Sequence, residues 1–536
     1  MPLTTSSSRA TTTTIVLGGL TAYVAFGYLT LNRPQRRAYF RPFTLTFSSI
    51  ITVVGFGVNM VTDVWDAVRD GRTRVWRKAM KALHLFLKES GLDNEFDQAL
   101  NDRALLPALM ALTDLQNKVQ RHRRVDLRQD TAVTKGDEDE LQHLLEQGQH
   151  YMRFATAVYG PEMMASTQLA VYDEVLGYAS DTHHQMIARH LQFDVTSVTP
   201  SPIMSKLVLP TTSTTPSLPS PATTPSSPTP PFEIWCDYTR DPTTVDLHHA
   251  QHCLVVCDHT RRQVIWTVRG TFSLSGIITD LAGYCTDFCG GYAHDGMARA
   301  ARETWQTIWK NVLRDKLQAL PLDYVLVLTG HSLGAGVACL VNILAHDLQA
   351  KHKEPALKKR TIRCFAMAPP PVFAPLSAAS QAVANTVAYV HAYDIVPSLS
   401  VDAIRRLMAC LDRLQNVLMQ HPFWQLAAKR WELGEPQPEL VQAYQADPKL
   451  RPLPTARMLV VPCRTLIWLE RVPTTTTTTV RSTSTTNRTN VVYEAHKLDP
   501  IKYADRILDL ELPDCVTDHM TPEYETALAK VLSGVS

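Results

Sequence analysis

The chain has 536 residues, 45% of them hydrophobic and 19% charged, with a formal net charge of +2. That length accommodates a large catalytic domain with accessory segments. A near-neutral balance without a basic, aromatic-interleaved groove excludes a nucleic-acid partner, and ten scattered cysteines do not make a disulfide-stapled secreted protein.

Residues 1–65 are expected to associate with a membrane. The first 62 residues contain no Asp or Glu but carry Arg9, Arg33, Arg36, Arg37 and Arg41, and residues 15–31 are uncharged and mostly apolar. Such a stretch is at the short end of what crosses a hydrocarbon core of roughly 30 Å. A secretory signal and a mitochondrial address are the competing readings. A more polar apolar stretch, 43–61, follows. Then comes a basic amphipathic helix with Val75, Trp76, Ala79, Met80, Leu83, Phe86 and Leu87 on one face and Arg69 to Lys81 between them. Basic flanks stay cytosolic, which places the bulk of the chain on the cytosolic face with this helix against anionic headgroups. A solvated face over a protein core is the plainer alternative for the helix.

Residues 66–195 read as helical, with apolar i, i+3, i+4 spacing through Leu141–Tyr159. Residues 196–231 are Pro/Ser/Thr-rich and are expected to be a disordered insert. From 232 to 536 short strand-like runs (253–257, 263–269, 324–329, 362–367, 386–393, 457–461) alternate with helical segments, the pattern of a mostly parallel α/β sheet. Residues 402–456 read as a helical and loop-like insertion, and 473–489 as a second, Thr-rich insert. The Cys253/Cys257 and Cys285/Cys289 pairs are spaced like metal ligands but lack a supporting His pattern, so buried free thiols are expected. No metal or organic cofactor is expected.

Residues 324–345, YVLVLTGHSLGAGVACLVNILA, carry the most chemistry. A run of β-formers meets Gly-His-Ser-Leu-Gly and leaves into a small-residue helix, the strand–turn–helix context that makes the serine of G-x-S-x-G a nucleophile. Gly330 and Gly334 flank Ser332 where a Cβ would crowd the turn. An ordinary Gly-rich β–α turn is the bland alternative, which the flanking strand and helix make less favourable.

A serine hydroxyl needs a histidine base and an acid that holds the base's tautomer. Asp394 sits at the end of an apolar run before Pro397, where a parallel sheet presents catalytic side chains; Asp402 is the other candidate acid. His519 lies in a loop before a helix and is the expected base, ahead of His421 and His496. The oxyanion donors are expected to be the Leu333 backbone N–H and Thr271, which follows the strand ending at Arg269-Gly270.

Taken together, Arg269-Gly270-Thr271, Thr279-Asp280-Leu281, Ala293 to Met297, the elbow, Ala368-Pro369-Pro370, Asp394 to Pro397 and Asp518-His519-Met520, in that order, resemble the class 3 lipase family, most of all its sn-1-specific diacylglycerol lipases. The segment 144–160 is similar to the helical cover of that branch. The resemblance implies an α/β-hydrolase fold with a mostly parallel central sheet preceded by a helical region. It implies Ser332, Asp394 and His519 as triad, Thr271 and Leu333 as oxyanion donors, and the apolar segment after Thr271 as lid. It further implies a glycerolipid substrate, diacylglycerol first, triacylglycerol and phospholipid being the alternatives. A catalytically silent lipase-fold scaffold is the rival of another class. The chain departs from the family pattern at Gly276, where an acid is usual, and in its Pro/Thr-rich inserts.

Overall fold

The computed structural model describes residues 108, 111–112, 114–116, 135–160, 163–164, 183–193, 231–237, 252–270, 285–420, 438–446, 458–478, 486–506 and 517–534. All of them belong to one unit, Ala79–Met164 with His183–Ser536. The expected membrane segment 1–65, the basic helix, nearly all of the 196–231 insert and the lid segment lie outside the described residues.

The strands are β1 Phe232–Asp237, β2 Cys253–Asp258, β3 Gln263–Val268, β4 Cys285–Phe288, β5 Gly291–His294, β6 Val325–His331, β7 Ile362–Met367, β8 Phe373–Ala374, β9 Thr386–His391, β10 Thr465–Thr478 and β11 Thr486–Leu498. The main sheet runs β1-β2-β3-β6-β7-β9-β10-β11, and β4, β5 and β8 form a small second sheet. From β3 to β10 every neighbour pair is parallel; β1, β2 and β11 add antiparallel edges. This is the expected α/β-hydrolase arrangement, and its central strands read as continuous apolar runs because both faces are covered.

Strand parity separates the two covers. Leu326, Leu328, Cys364 and Ala366 face helix α4 (Leu333–Ala350) and join one large apolar cluster with the helix α3 (Asp295–Thr304) and the π-helical segment Trp305–Leu313. Phe365 and Tyr389, one residue out of phase, meet helix α1 (Lys135–Ala157) instead: Tyr151 stacks on Phe365 with ring centroids 4.2 Å apart, and the Tyr389 hydroxyl donates to the Leu144 carbonyl at 2.6 Å. Helix α1 thus packs on this face of the sheet. Beside it lie helix α2 (His183–His190) and the C-terminal helix α6 (Thr521–Leu532); Thr156 of α1 and His190 of α2 both bond Glu525 of α6, at 2.5 and 3.2 Å. Partial burial alone would raise the Glu525 carboxyl; His190, Thr156 and Arg153 instead hold it below its usual value.

Helix α4 is the one described helix long and apolar enough to cross a membrane, but 72% of it is buried within the fold. Helix α5 runs from Val401 to Gln420.

Two expectations are revised. Of the run at 457–461, the described residues 458–461 form no strand, only an isolated bridge between Val460 and Phe373; Pro462 has no N–H with which to extend a ladder. Much of the Thr-rich segment 473–489 is not an insert off the sheet but the far end of the β10–β11 hairpin, paired out to Thr478 and Thr486. Threonine is β-branched and favours extended backbone. The C-x3-C pair of β2 cannot share a metal either, since four strand residues span roughly 13 Å; burial pushes both the Cys253 and Cys257 thiols up to about 12.

The α1 interface holds a titratable liability. His150 is 9% exposed, its ring set edge-on to Tyr151 and Phe154 at 5.0 and 5.3 Å, and its Nε2 has no hydrogen-bond partner. Burial first, then the charges of Arg261 and Arg153, lower its pKa to about 3. The unfolded chain, with an ordinary histidine near 6.5, therefore binds the proton that the fold refuses. Stability is full above that value and falls as pH drops from about 6.5 toward 3, by at most about 1.4 kcal/mol per pH unit for this group. In the variant His150→Phe this part of the acid loss is expected to vanish, giving a flatter plot of urea midpoint against pH than the parent; an unchanged slope would place the liability elsewhere.

Candidate active site

The parallel register aligns Val268 of β3 with Gly330 of β6, so the chain leaving β3 runs beside the turn that ends β6. Ser332 occupies that turn with φ 61 and ψ −135. A side chain in the left-handed region is disfavoured and persists only where neighbours hold it. Here the Ser332 N–H donates to the Met367 carbonyl at 2.9 Å, and the Ser332 carbonyl accepts from Ala335 and Gly336 at 2.9 and 3.2 Å. The glycines are spatially required. A Cβ on Gly334 would stand 2.6 Å from the Arg269 carbonyl carbon, and one on Gly270 would stand 2.6 Å from the His331 oxygen.

Asp394 arrives from the end of β9. Ala392 turns the chain with φ 39, and the Asp394 N–H bonds the His391 carbonyl at 2.9 Å. His519 comes from the loop before α6. Its Nδ1 lies 2.9 and 3.0 Å from the two Asp394 oxygens, and its Nε2 lies 2.9 Å from Ser332 Oγ. A carboxylate accepts only, so Nδ1 carries the proton and Nε2 presents its lone pair to the serine hydroxyl. Ser332, Asp394 and His519 are 0, 2 and 9% exposed. In such a relay the hydroxyl proton has an acceptor and the resulting imidazolium has a counter-charge.

Leu333 is the first residue of α4. Its N–H has no intrahelical acceptor and shares the positive end of the helix. Thr271 lies outside the described residues. Of the competing candidates, Asp402 sits on α5 paired with Arg405 and Arg406 at 3.4 and 3.0 Å, and His496 sits on β11 beside Glu470 at 3.1 Å. His421 is outside the described residues.

The structure adds supporting residues that were not among the sequence candidates for the site. The Tyr524 hydroxyl donates to Asp394 Oδ2 at 2.6 Å and accepts from the His391 N–H at 2.9 Å; the Val396 N–H adds a third bond to the acid at 2.9 Å. Tyr524 lies in the first turn of α6 behind His519, a proximity that the sequence offers but whose direction it does not. His391 Nδ1 bonds the Asp518 carbonyl at 2.9 Å, and Asp518 Oδ2 accepts from the Tyr393 N–H at 3.0 Å, pinning the histidine loop. His331 Nε2 lies 2.8 Å from the His519 carbonyl, which accepts only, so its Nδ1 is left to accept from the Tyr159 hydroxyl at 3.1 Å. Burial, then the neighbouring His519 imidazole, holds His331 well below the ordinary histidine value. This buried ring is therefore a neutral spacer.

Replacing Gly334 by Ala puts a methyl against backbone rather than a flexible side chain. It is expected to cost about 1–3 kcal/mol, seen as a lower thermal midpoint; an unchanged midpoint would mean that the elbow has slack.

Residues 265–403 match the family described as Lipase (class 3), in keeping with the resemblance read from the sequence blocks. Diacylglycerol lipase-beta of Mus musculus is 28% identical over 184 residues, 32% of this chain and 26% of that protein. Diacylglycerol lipase-alpha of Homo sapiens is 26% identical over 174 residues, 30% of this chain and 16% of that protein. The match thus spans about a quarter or less of these relatives' lengths. Among solved structures, the mono- and diacylglycerol lipase from Aspergillus oryzae is 21% identical, with a TM-score of 0.31, covering 48% of this chain and 73% of that one.

Proposed function

We propose that this chain is a serine lipase that hydrolyses an acyl ester of a glycerolipid, diacylglycerol in the first place, at a membrane surface. The observation that carries the reading is the hydrogen-bonded run from Ser332 through His519 to Asp394 on a strained strand–helix turn. Ser332 Oγ attacks the ester carbonyl while His519 Nε2 takes its proton. The tetrahedral oxyanion is received by the Leu333 N–H and by Thr271. His519 returns the proton to the departing glycerol oxygen, leaving an acyl-enzyme. Water, deprotonated by the same nitrogen, then releases the fatty acid and restores the serine. Asp394 orients the imidazole and stabilises its charged form, and it stays ionised throughout.

The choice of diacylglycerol rests on likeness to proteins named diacylglycerol lipases. Placement on the cytosolic membrane face rests on the acid-free, arginine-bearing N-terminus and the positive-inside tendency. A complete set of bonded groups argues against a silent scaffold.

A fluorophosphonate probe is expected to label the parent protein, and Ser332→Ala to abolish labelling without unfolding it; persistent labelling in that variant would move the nucleophile. Supplying diacylglycerol, triacylglycerol and phospholipid in matched vesicles should give fastest turnover with diacylglycerol; another order reassigns the substrate.

Removing the Tyr524 hydroxyl tests the support beneath the acid. Tyr524→Phe is expected to lower kcat by roughly tenfold, the worth of one hydrogen bond to a charged group, with KM little changed. His519→Ala should instead cost several orders of magnitude, and adding Asp394→Asn to it should cost little more. A Tyr524→Phe enzyme at full activity would show that the hydroxyl is dispensable.

A further inference from the structure

The end of helix α1 brings to the elbow a hydroxyl that the ester chemistry above does not use. Tyr159 lies two residues past the helix. Its N–H bonds the Thr156 carbonyl at 3.0 Å, and the Gly160 N–H bonds the Ala157 carbonyl at 3.1 Å, which fixes the turn. The side chain is buried, and its ring meets that of His331 edge-on with centroids 5.9 Å apart. Its oxygen lies 3.1 Å from His331 Nδ1 and 3.4 Å from the His331 carbonyl. The same oxygen meets the backbone of Gly270. A Cβ on Gly270 would stand 2.5 Å from it, and the Gly270 N–H is a hydrogen-bond donor to it.

The direction of each bond in this run is set by its ends. The His519 carbonyl only accepts, so His331 Nε2, 2.8 Å away, carries the ring proton. Nδ1 of that neutral ring is then an acceptor, and it takes the single hydroxyl hydrogen of Tyr159, to which it lies nearer than the carbonyl does. The lone pairs of the phenol oxygen are left for the Gly270 N–H, which only donates. Burial holds the Tyr159 phenol above its ordinary pKa, so the group stays protonated. Bonds in such a line polarise one another, and a buried line tolerates no reversed member.

Both ends of the line stand where the reaction is most sensitive to position. Gly270 immediately precedes Thr271 in the chain, and its Cβ would come within 3.1 Å of that of Ser332. His519 is the base. We propose that Tyr159 is a positioning residue for ester hydrolysis. Through His331 it fixes the backbone of the base, and through Gly270 it fixes the strand end that leads to the oxyanion donor Thr271. This inference rests on the lipase reading given above. Its effect passes through those two neighbours and is felt where oxyanion and imidazolium develop together, in the transition state rather than in ground-state binding. The helical region ahead of the sheet then supplies a part of the active centre and not a cover alone.

The test compares the full chain with its Tyr159→Phe variant, which removes one oxygen and fills nearly the same space, well below both thermal midpoints. With diacylglycerol in vesicles, kcat is expected to fall about five- to tenfold, the worth of one buried hydrogen bond, with KM little changed. A boronic acid, which forms a tetrahedral anion on Ser332 Oγ, should lose affinity by the same factor as kcat/KM. His331→Leu breaks the line at its centre, and adding Tyr159→Phe to it should cost much less than in the parent. Parental kcat in Tyr159→Phe, a loss confined to KM or to the thermal midpoint, unchanged boronate affinity, or losses that multiply in the double variant would each overturn the proposal. A parent that neither turns over the ester nor reacts with a fluorophosphonate would overturn the lipase reading, and this inference with it.

Discussion

The arrangement depends on one strained residue. Ser332 adopts a positive φ that a serine avoids, at a cost of order 1–3 kcal/mol, and only that turn raises its hydroxyl toward an imidazole arriving from the C-terminal loop. The bonds that hold the turn come from β7 through Met367 and from the first turn of α4 through Ala335 and Gly336. The space for it comes from the absence of side chains at Gly270 and Gly334. Remove either contribution and the hydroxyl loses its place before any question of reactivity arises.

The second requirement is that the imidazole face the turn, and here the packing is more layered than a three-residue relay suggests. Tyr524 bridges Asp394 and the His391 backbone, His391 bonds the Asp518 carbonyl, and His331 holds the carbonyl of His519 itself. The same α6 that carries Tyr524 is tied through Glu525 to α1 and α2. Helices far upstream in sequence therefore steady the acid and base through direct bonds to one C-terminal helix. That connection gives the helical region ahead of the sheet a definite purpose in the fold.

Much of this was legible in the sequence, for physical reasons that differ by element. The parallel strands announced themselves as apolar runs separated by helical segments, and the elbow by its glycines, because sterics leave few other residues admissible there. Asp394 was readable from its place after an apolar run, and His519 from its place before a helix; the structure brings both to Ser332. Asp402 and His496 look equally suitable as residue types, but side-chain direction separates them: one is paired with arginines on α5, the other faces Glu470 on β11. Tyr524 and His331 escaped notice because their value lies in depth and orientation, which a one-dimensional pattern does not encode. The threonine-rich tract misled by composition, since repeats of a β-branched residue can read as an insert and still pair as strands.

The most direct examination is a crystal structure of the protein with a phosphonate covalently trapped in its site. The phosphorus should be bonded to Ser332 Oγ, a phosphoryl oxygen should accept from the Leu333 N–H, and His519 Nδ1 should remain on Asp394. Phosphorus attached to any other residue, or an imidazole turned away from Asp394 toward a different carboxylate, would contradict the account.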